Sequence, residues 1–272
     1  MLLTLRRLGS KPPPLTLNVE RIGNENSRPL IICHGLFGHI QNWRSVGRAL
    51  STRLNRRIIL TDLRNHGASP RADSMSYEEM AQDVIHLAKT EGRGDQVDLL
   101  GHSMGGKTAM VASTTHPHIF RKIIIEDVAP RRYTLNTKIF RQYIGGMRSL
   151  DLTQSRATLA KELEKSIPEK PVRDFILTNL AIENGQQYWR VNLDAVTNYL
   201  ERILNTENME GTFPREALFL HGAASNYLLP SDHDKIYHHF PLAKIESIPE
   251  AGHWLHAEKP NEFIASVTKF LV

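Results

Sequence analysis

Cys33 is the single cysteine in 272 residues, so no internal disulfide can form. The cluster of Cys and His ligands that a structural zinc site needs at short spacing is missing as well. Long apolar runs are also lacking. Ile123 to Ile125 stops at Glu126 and Leu218 to Leu220 stops at His221, far short of the roughly 20 apolar residues of a membrane-spanning helix. Acidic residues are missing from the front end, where no acid precedes Glu20 but Arg6, Arg7 and Lys11 occur. That bias is the one found in mitochondrial targeting segments, whereas Pro12 to Pro14 and the shortage of serine suit an unstructured tail. The apolar core of a secretory signal is absent. Residues 1–14 are therefore read as an N-terminal extension, with the mitochondrial matrix or the cytosol as expected compartments.

What remains is ordinary globular material, 40% hydrophobic and 23% charged, in a chain long enough to bury a sizeable core. The net charge of +5 raises nucleic acid as a partner, so the placement of the charge has to decide. Arg6 and Arg7, then Arg53, Arg56 and Arg57, then Arg131 and Arg132 are scattered and do not alternate with aromatics that could stack on bases. They read as solvated faces, and no nucleic-acid partner is expected.

Past the prolines, short β-rich runs alternate with helical spacing. Leu15 to Ile22 reads as an edge strand, Leu30 to Cys33 and Arg57 to Thr61 as buried ones, and Val97 to Leu100, Lys122 to Ile125, Ala217 to Leu220 and Lys244 to Ile248 complete the set of strands. Trp43 to Thr52, Tyr77 to Thr90 and Lys107 to His116 carry apolar residues near i, i+3 and i+4. Strands that are apolar throughout, separated by helices, predict an α/β fold with a mostly parallel sheet covered on both faces. Residues 131–213 contain no convincing strand. There Leu135, Ile139, Phe140, Tyr143, Ile144 and Met147 form a stripe, Asp151 with Gln154 suggests a capping box, Pro171 a helix start and Asn192 a helix cap. The expected organisation is a core of residues 15–130 and 214–272 interrupted by a helical insertion, 131–213.

Val97 to Leu100 runs straight into Gly101-His102-Ser103-Met104-Gly105 and then into a helical pattern. Gly-x-Ser-x-Gly between a strand and a helix is the nucleophile elbow, a strained turn that exposes a serine hydroxyl at the sheet tip. Outside that context the motif is only a glycine-rich turn. A hydroxyl needs a general base. His253 follows the last strand, where the loop leaves the carboxyl edge of the sheet, while most of the other histidines have no such placement. Two backbone N–H groups could hold a developing oxyanion: that of Met104 at the helix start, and that of Leu36, with Phe37 as the neighbouring choice, in His34-Gly35-Leu36-Phe37-Gly38. Cys33 falls at the end of the strand feeding that loop and is given no chemistry.

These segments, together with Asp62 to Ser69 and Ala251 to Pro260, resemble the α/β-hydrolase superfamily in order and over nearly the whole chain. Asn65-His66-Gly67, Gly106 to Met110 and Trp189 to Asp194 are similar to a branch that includes animal mitochondrial ester hydrolases and bacterial esterases. The resemblance implies an α/β-hydrolase fold with a helical lid over residues 131–213, and a serine hydrolase acting on acylglycerols or short to medium acyl esters. It also implies a Ser103–His253–acid triad, with no metal or organic cofactor. The acid departs from the commoner pattern, because Gly222 to Tyr227 places Asn226 where a carboxylate is usual, and an amide cannot carry the charge. Asp127, at the end of the preceding strand, is the preferred acid, as in some superfamily members. Asp194 is the alternative, although a carboxylate in a first helical turn is favoured by the dipole alone, and Asp232 is a third.

Phe37, Met104, Phe140, Tyr143, Met147 and Trp189 are candidates to line an acyl pocket, although each also suits core packing. Asp62 with Arg64 is read as a bracing pair, Lys107 as a helix-surface residue and Glu126 as solvated or paired. Partners are expected to be small-molecule or lipid esters, with an acyl thioesterase or a catalytically silent binding protein as rival readings.

Overall fold

In the computed structural model of the protein, residues 13–134 and 136–272 are described. The targeting-segment reading of residues 1–14 thus falls almost wholly outside the described residues, as does Leu135 of the apolar stripe. The strands are β1 (Val19–Ile22), β2 (Leu30–Cys33), β3 (Ile58–Thr61), β4 (Val97–His102), β5 (Phe120–Glu126), β6 (Leu180–Glu183), β7 (Gln186–Trp189), β8 (Ala217–Gly222) and β9 (Ala243–Ile248). The helices are α1 (Arg44–Leu54), α2 (Tyr77–Gly92), α3 (Met104–Thr115), α4 (Asn136–Ser149), α5 (Arg156–Leu163), α6 (Lys170–Leu177), α7 (Leu193–Ile203), α8 (His233–His239), α9 (Leu255–Glu258) and α10 (Pro260–Leu271).

Seven strands form one sheet in the order β1-β3-β2-β4-β5-β8-β9. Only the edge strand β1 runs antiparallel to its neighbour. The unbroken apolar runs follow from burial on both faces. Ile31, Cys33, Leu99, Ile123 and Ile125 join a core under α2, α3 and α8, while the alternate residues Leu30, Ile32, Leu100 and Ile124 join a second core under α1 and α10.

Residues between β5 and β8 bury Ile144, Leu163, Ile176, Val196 and Leu200 in the same core as α2 and α3. Asn192 caps α7 by accepting the Ala195 N–H, and Pro171 lies in the first turn of α6. Two expectations need correction. The insertion is not purely helical, because β6 and β7 form an antiparallel hairpin. Its four-residue strands, one ending in the exposed Ile182 and Glu183, bury too little to show a two-residue period. Asp151 and Gln154 bond each other in a turn, and the cap of α5 is Ser155.

Asp62 and Arg64 do not pair. Asp62 accepts the N–H groups of Ile40 and Ala68 and the Asn18 amide, and Arg64 bonds Asp83 bidentately beside Glu79. Lys107 is not a surface residue. It is buried with its Nζ donating to the Arg131 carbonyl, 4.6 Å from the Tyr133 ring centroid, and burial pushes it well below the ordinary lysine range. No helix among the described residues is long and apolar enough to cross a membrane.

Candidate active site

Ser103 occupies the turn between β4 and α3 with φ +51° and ψ −113°, a backbone that L residues rarely adopt. Close approach of strand, turn and helix dictates the flanking glycines. A Cβ on Gly101 would lie 2.2 Å from the Gly105 carbonyl oxygen, and one on Gly105 would lie 2.4 Å from that of Cys33 and 2.6 Å from that of His34. These obstacles are backbone and cannot rotate away. Gly105→Ala is expected to cost about 3 kcal/mol or more through overpacking. Gly145→Ala, in α4 with nothing near its Cβ position, should stabilise by about 0.5–1 kcal/mol. Urea denaturation of the two variants measures the contrast.

Met104 is the first residue of α3, so its N–H has no acceptor within the helix. Across from it, the Phe37 N–H donates to His66 Nε2 at 3.3 Å, which leaves Leu36 as the available donor of that loop. The loop is braced by two histidines that the sequence reading used only as motif letters. His34 accepts the Leu63 N–H at Nε2 and donates from Nδ1 to the Gly35 carbonyl. His66 holds the Arg64 carbonyl through Nδ1. Burial lowers the pKa of both, His66 to about 3, so both stay neutral and keep these tautomers. From the insertion, Asn179 Nδ2 donates to the Phe37 carbonyl at 2.6 Å.

His253 lies in the loop between β9 and α9. Its Nδ1–H donates to Asp127 Oδ2 at 2.7 Å, and its ring stacks on Tyr227 at 3.8 Å between centroids. Asp127 follows β5 and is fully buried. Its other oxygen, Oδ1, accepts the Gly222 N–H at 3.0 Å, and Oδ2 also accepts the Ser225 hydroxyl. The loop that seemed to lack its carboxylate thus contributes donors to a carboxylate from the neighbouring strand. Ser225 and Tyr227 were missed, and the only sequence signal for them was a loop of the right place with the wrong residue at Asn226. The Gly252 and Trp254 N–H groups, flanking His253, both donate to Glu258.

Asp194 is elsewhere. Its side chain is 80% exposed on α7 and pairs with Arg148, the ordinary fate of a first-turn carboxylate. Asp232 holds the Leu229 N–H and faces Arg131.

A cavity of about 290 Å³ opens beside Ser103 and His253, close to the lower end of ordinary small-molecule sites, about 300–1,000 Å³. Leu36 and Phe37 wall one side, Phe140 and Tyr143 of α4 and Val172, Phe175 and Ile176 of α6 another, with Tyr227 and Trp254 near the imidazole. Met147 and Trp189 do not line it. Both are core residues, with Trp189 Nε1 donating to the Met147 carbonyl. No hydrogen bond joins Ser103 to His253 among the described residues, although both line this one cavity. Such contacts commonly tighten only with substrate bound.

A serine on a strained strand-to-helix turn, a histidine held by a buried carboxylate and a mainly apolar cavity beside them define an enzyme of the ester-hydrolase class. The chain belongs to the alpha/beta hydrolase fold family, whose pattern matches residues 28–260. It is 39% identical over 268 residues to the zebrafish (Danio rerio) sn-1-specific diacylglycerol lipase ABHD11, covering 96% of this chain and 84% of that one. It is 32% identical over 260 residues to esterase YbfF of Escherichia coli, covering 94% and 98% of the two chains. A solved marine microorganism esterase superposes with a TM-score of 0.89 at 36% identity, over 94% of this chain and 99% of that one.

Proposed function

We propose that Ser103 attacks the carbonyl of an acyl ester, that His253 takes the hydroxyl proton and passes it to the departing alcohol, and that Asp127 holds the imidazole and stabilises its charge. The tetrahedral oxyanion is received by the N–H groups of Met104 and Leu36, and water then releases the acyl group from Ser103 by the same steps. The observation that carries this reading is the 2.7 Å bond from His253 to a fully buried Asp127, in the wall of the cavity that Ser103 also lines. Acylglycerols and short to medium acyl esters are the proposed substrates. A mainly apolar cavity of about 290 Å³ supports them, and so does the likeness to a chain named a diacylglycerol lipase. Residues 131–213 serve as the lid, with Phe140 and Tyr143 against the acyl chain. For the compartment, the acid-free stretch before Glu20 favours the mitochondrial matrix.

The test is a panel of neutral esters of increasing acyl length, each with its matched thioester, run beside labelling by a fluorophosphonate. Expected are stoichiometric labelling of Ser103 and ester turnover that peaks at short to medium chains. Turnover of thioesters alone would turn the reading into an acyl thioesterase. Absence of both labelling and turnover would leave a silent binding protein.

A further inference from the structure

Directly behind His253 lies a second carboxylate with two histidines, none of which the reaction above uses. Glu126 and His102 face each other in register across β5 and β4. Glu126 Oε1 accepts both the backbone N–H of His256 at 3.1 Å and its Nδ1–H at 2.8 Å. His102, the residue before the nucleophile, donates from Nε2 to the backbone carbonyl of His253 at 3.0 Å. Its ring lies 4.7 Å from that of His253 and 5.1 Å from that of His256. Trp43 stacks on His256 at 4.0 Å, and Glu126, His102 and His256 are all buried. The second oxygen of Glu126, Oε2, has no hydrogen-bond partner among the described residues.

We propose that Glu126 is a positioning residue for His253: with His102 and His256 it fixes the backbone that carries the imidazole, and its carboxylate supplies a second buried negative charge behind it. This inference rests on the Ser103–His253–Asp127 reading. The charged and titratable groups facing Glu126 are His102 from β4, His256 from α9, His253 from the loop and Asp127 from its own strand end, while Trp43 and, from α10, Phe263 add none. Burial lowers His102 and His256 to about 3, which keeps both neutral. Burial pushes Glu126 up to about 7. As pH rises through that value the carboxylate ionises and favours the imidazolium formed when His253 takes the serine proton. Activity should rise with it.

The experiment compares kcat and KM across pH for native protein, Glu126→Gln and His256→Phe on one neutral ester, with fluorophosphonate titration of Ser103 in each. Gln can still accept both His256 bonds but cannot ionise. The native rising limb should show an inflection near 7. Glu126→Gln should move it to lower pH and reach a plateau about tenfold lower, a barrier difference of about 1.4 kcal/mol, with KM and Ser103 titre unchanged. His256→Phe keeps the stack on Trp43 and removes the Nδ1 donor, so its inflection should move to higher pH. This second variant decides the matter if Glu126→Gln does not fold. A native plateau and inflection in Glu126→Gln, or an unmoved inflection in His256→Phe, overturns the inference while leaving the triad intact. Failure of native Ser103 to label overturns the triad reading itself.

Discussion

Ser103→Ala should abolish ester hydrolysis, lowering kcat by about 10⁶-fold, while unfolding in urea at nearly the native midpoint. The separation of the two effects is what makes the variant informative. The Ser103 hydroxyl makes no hydrogen bond among the described residues, so its removal forfeits no structural contact. The turn itself is held by backbone, through Ser103 N–H to the Glu126 carbonyl at 3.0 Å and Lys107 N–H to the Ser103 carbonyl at 2.9 Å. Alanine must adopt the same positive φ as serine, so the strain is carried equally by both. The oxyanion donors of Leu36 and Met104 belong to the main chain and survive the substitution, which leaves a residual rate above that in water. Turnover should be followed together with fluorophosphonate labelling, which the variant must lose. A folded Ser103→Ala protein that retains substantial turnover would remove Ser103 as the nucleophile.

The elbow was legible in the sequence because its chemistry is local: a turn that tolerates no Cβ on either flank writes itself as Gly101 and Gly105. The core strands were legible for a related reason, since burial on both faces leaves nothing but apolar residues in stretches such as Leu30 to Cys33. The hairpin β6–β7 escaped, because half-exposed strands of four residues carry no pattern distinct from a loop. Lys107 was misread for a different cause. Its helix, α3, is buried nearly all round at the centre of the sheet, and a lysine there snorkels to the Arg131 carbonyl instead of reaching solvent. Asp62 and Arg64 were paired on proximity along the chain, yet Asp62 is saturated by three donors and Arg64 points at Asp83 on α2. Partners across such distances in sequence leave no local mark.

The same limit governs Glu126 and Asp127. Neighbours in sequence at the end of β5, they serve two different histidines, His256 and His253, three residues apart near the end of the chain. Spacing alone shows neither pairing, because more than a hundred residues separate the partners; Asp127 was reached instead through its place at the end of a strand and the family resemblance, and Glu126 with His256 was not reached at all. The insertion's contribution was legible only in outline. Phe140 and Tyr143 reach the cavity, while Met147, on the same helical stripe, turns into the core with Trp189. Period alone tells that a helix has a buried face and does not tell against what that face is buried.

Asp127→Asn should lower kcat by about 10⁴-fold with little change in KM, whereas Asp194→Asn should leave both unchanged. The bonds around Asp127 decide how the amide sits. With its NH₂ toward Gly222, two donors would face each other in a buried site, at a cost of about 1–3 kcal/mol. With its carbonyl toward Gly222, the 3.0 Å bond is kept and the NH₂ faces Ser225, whose hydroxyl can rotate to accept it. The second orientation wins, and it presents a donor to His253 Nδ1. The imidazole must then carry its proton on Nε2, the nitrogen that has to receive the proton of Ser103, and the negative charge that would stabilise the imidazolium is gone. Asp194 has no such leverage, since its carboxylate is 80% exposed and its pair with Arg148 lies in solvent, where such pairs contribute about 0–1 kcal/mol. Steady-state kinetics of both variants on one ester, with urea midpoints as the control for folding, measures the difference. A loss confined to Asp194→Asn would transfer the acid to α7 and reject Asp127. Equal losses in both would mean that neither carboxylate alone sets the imidazole.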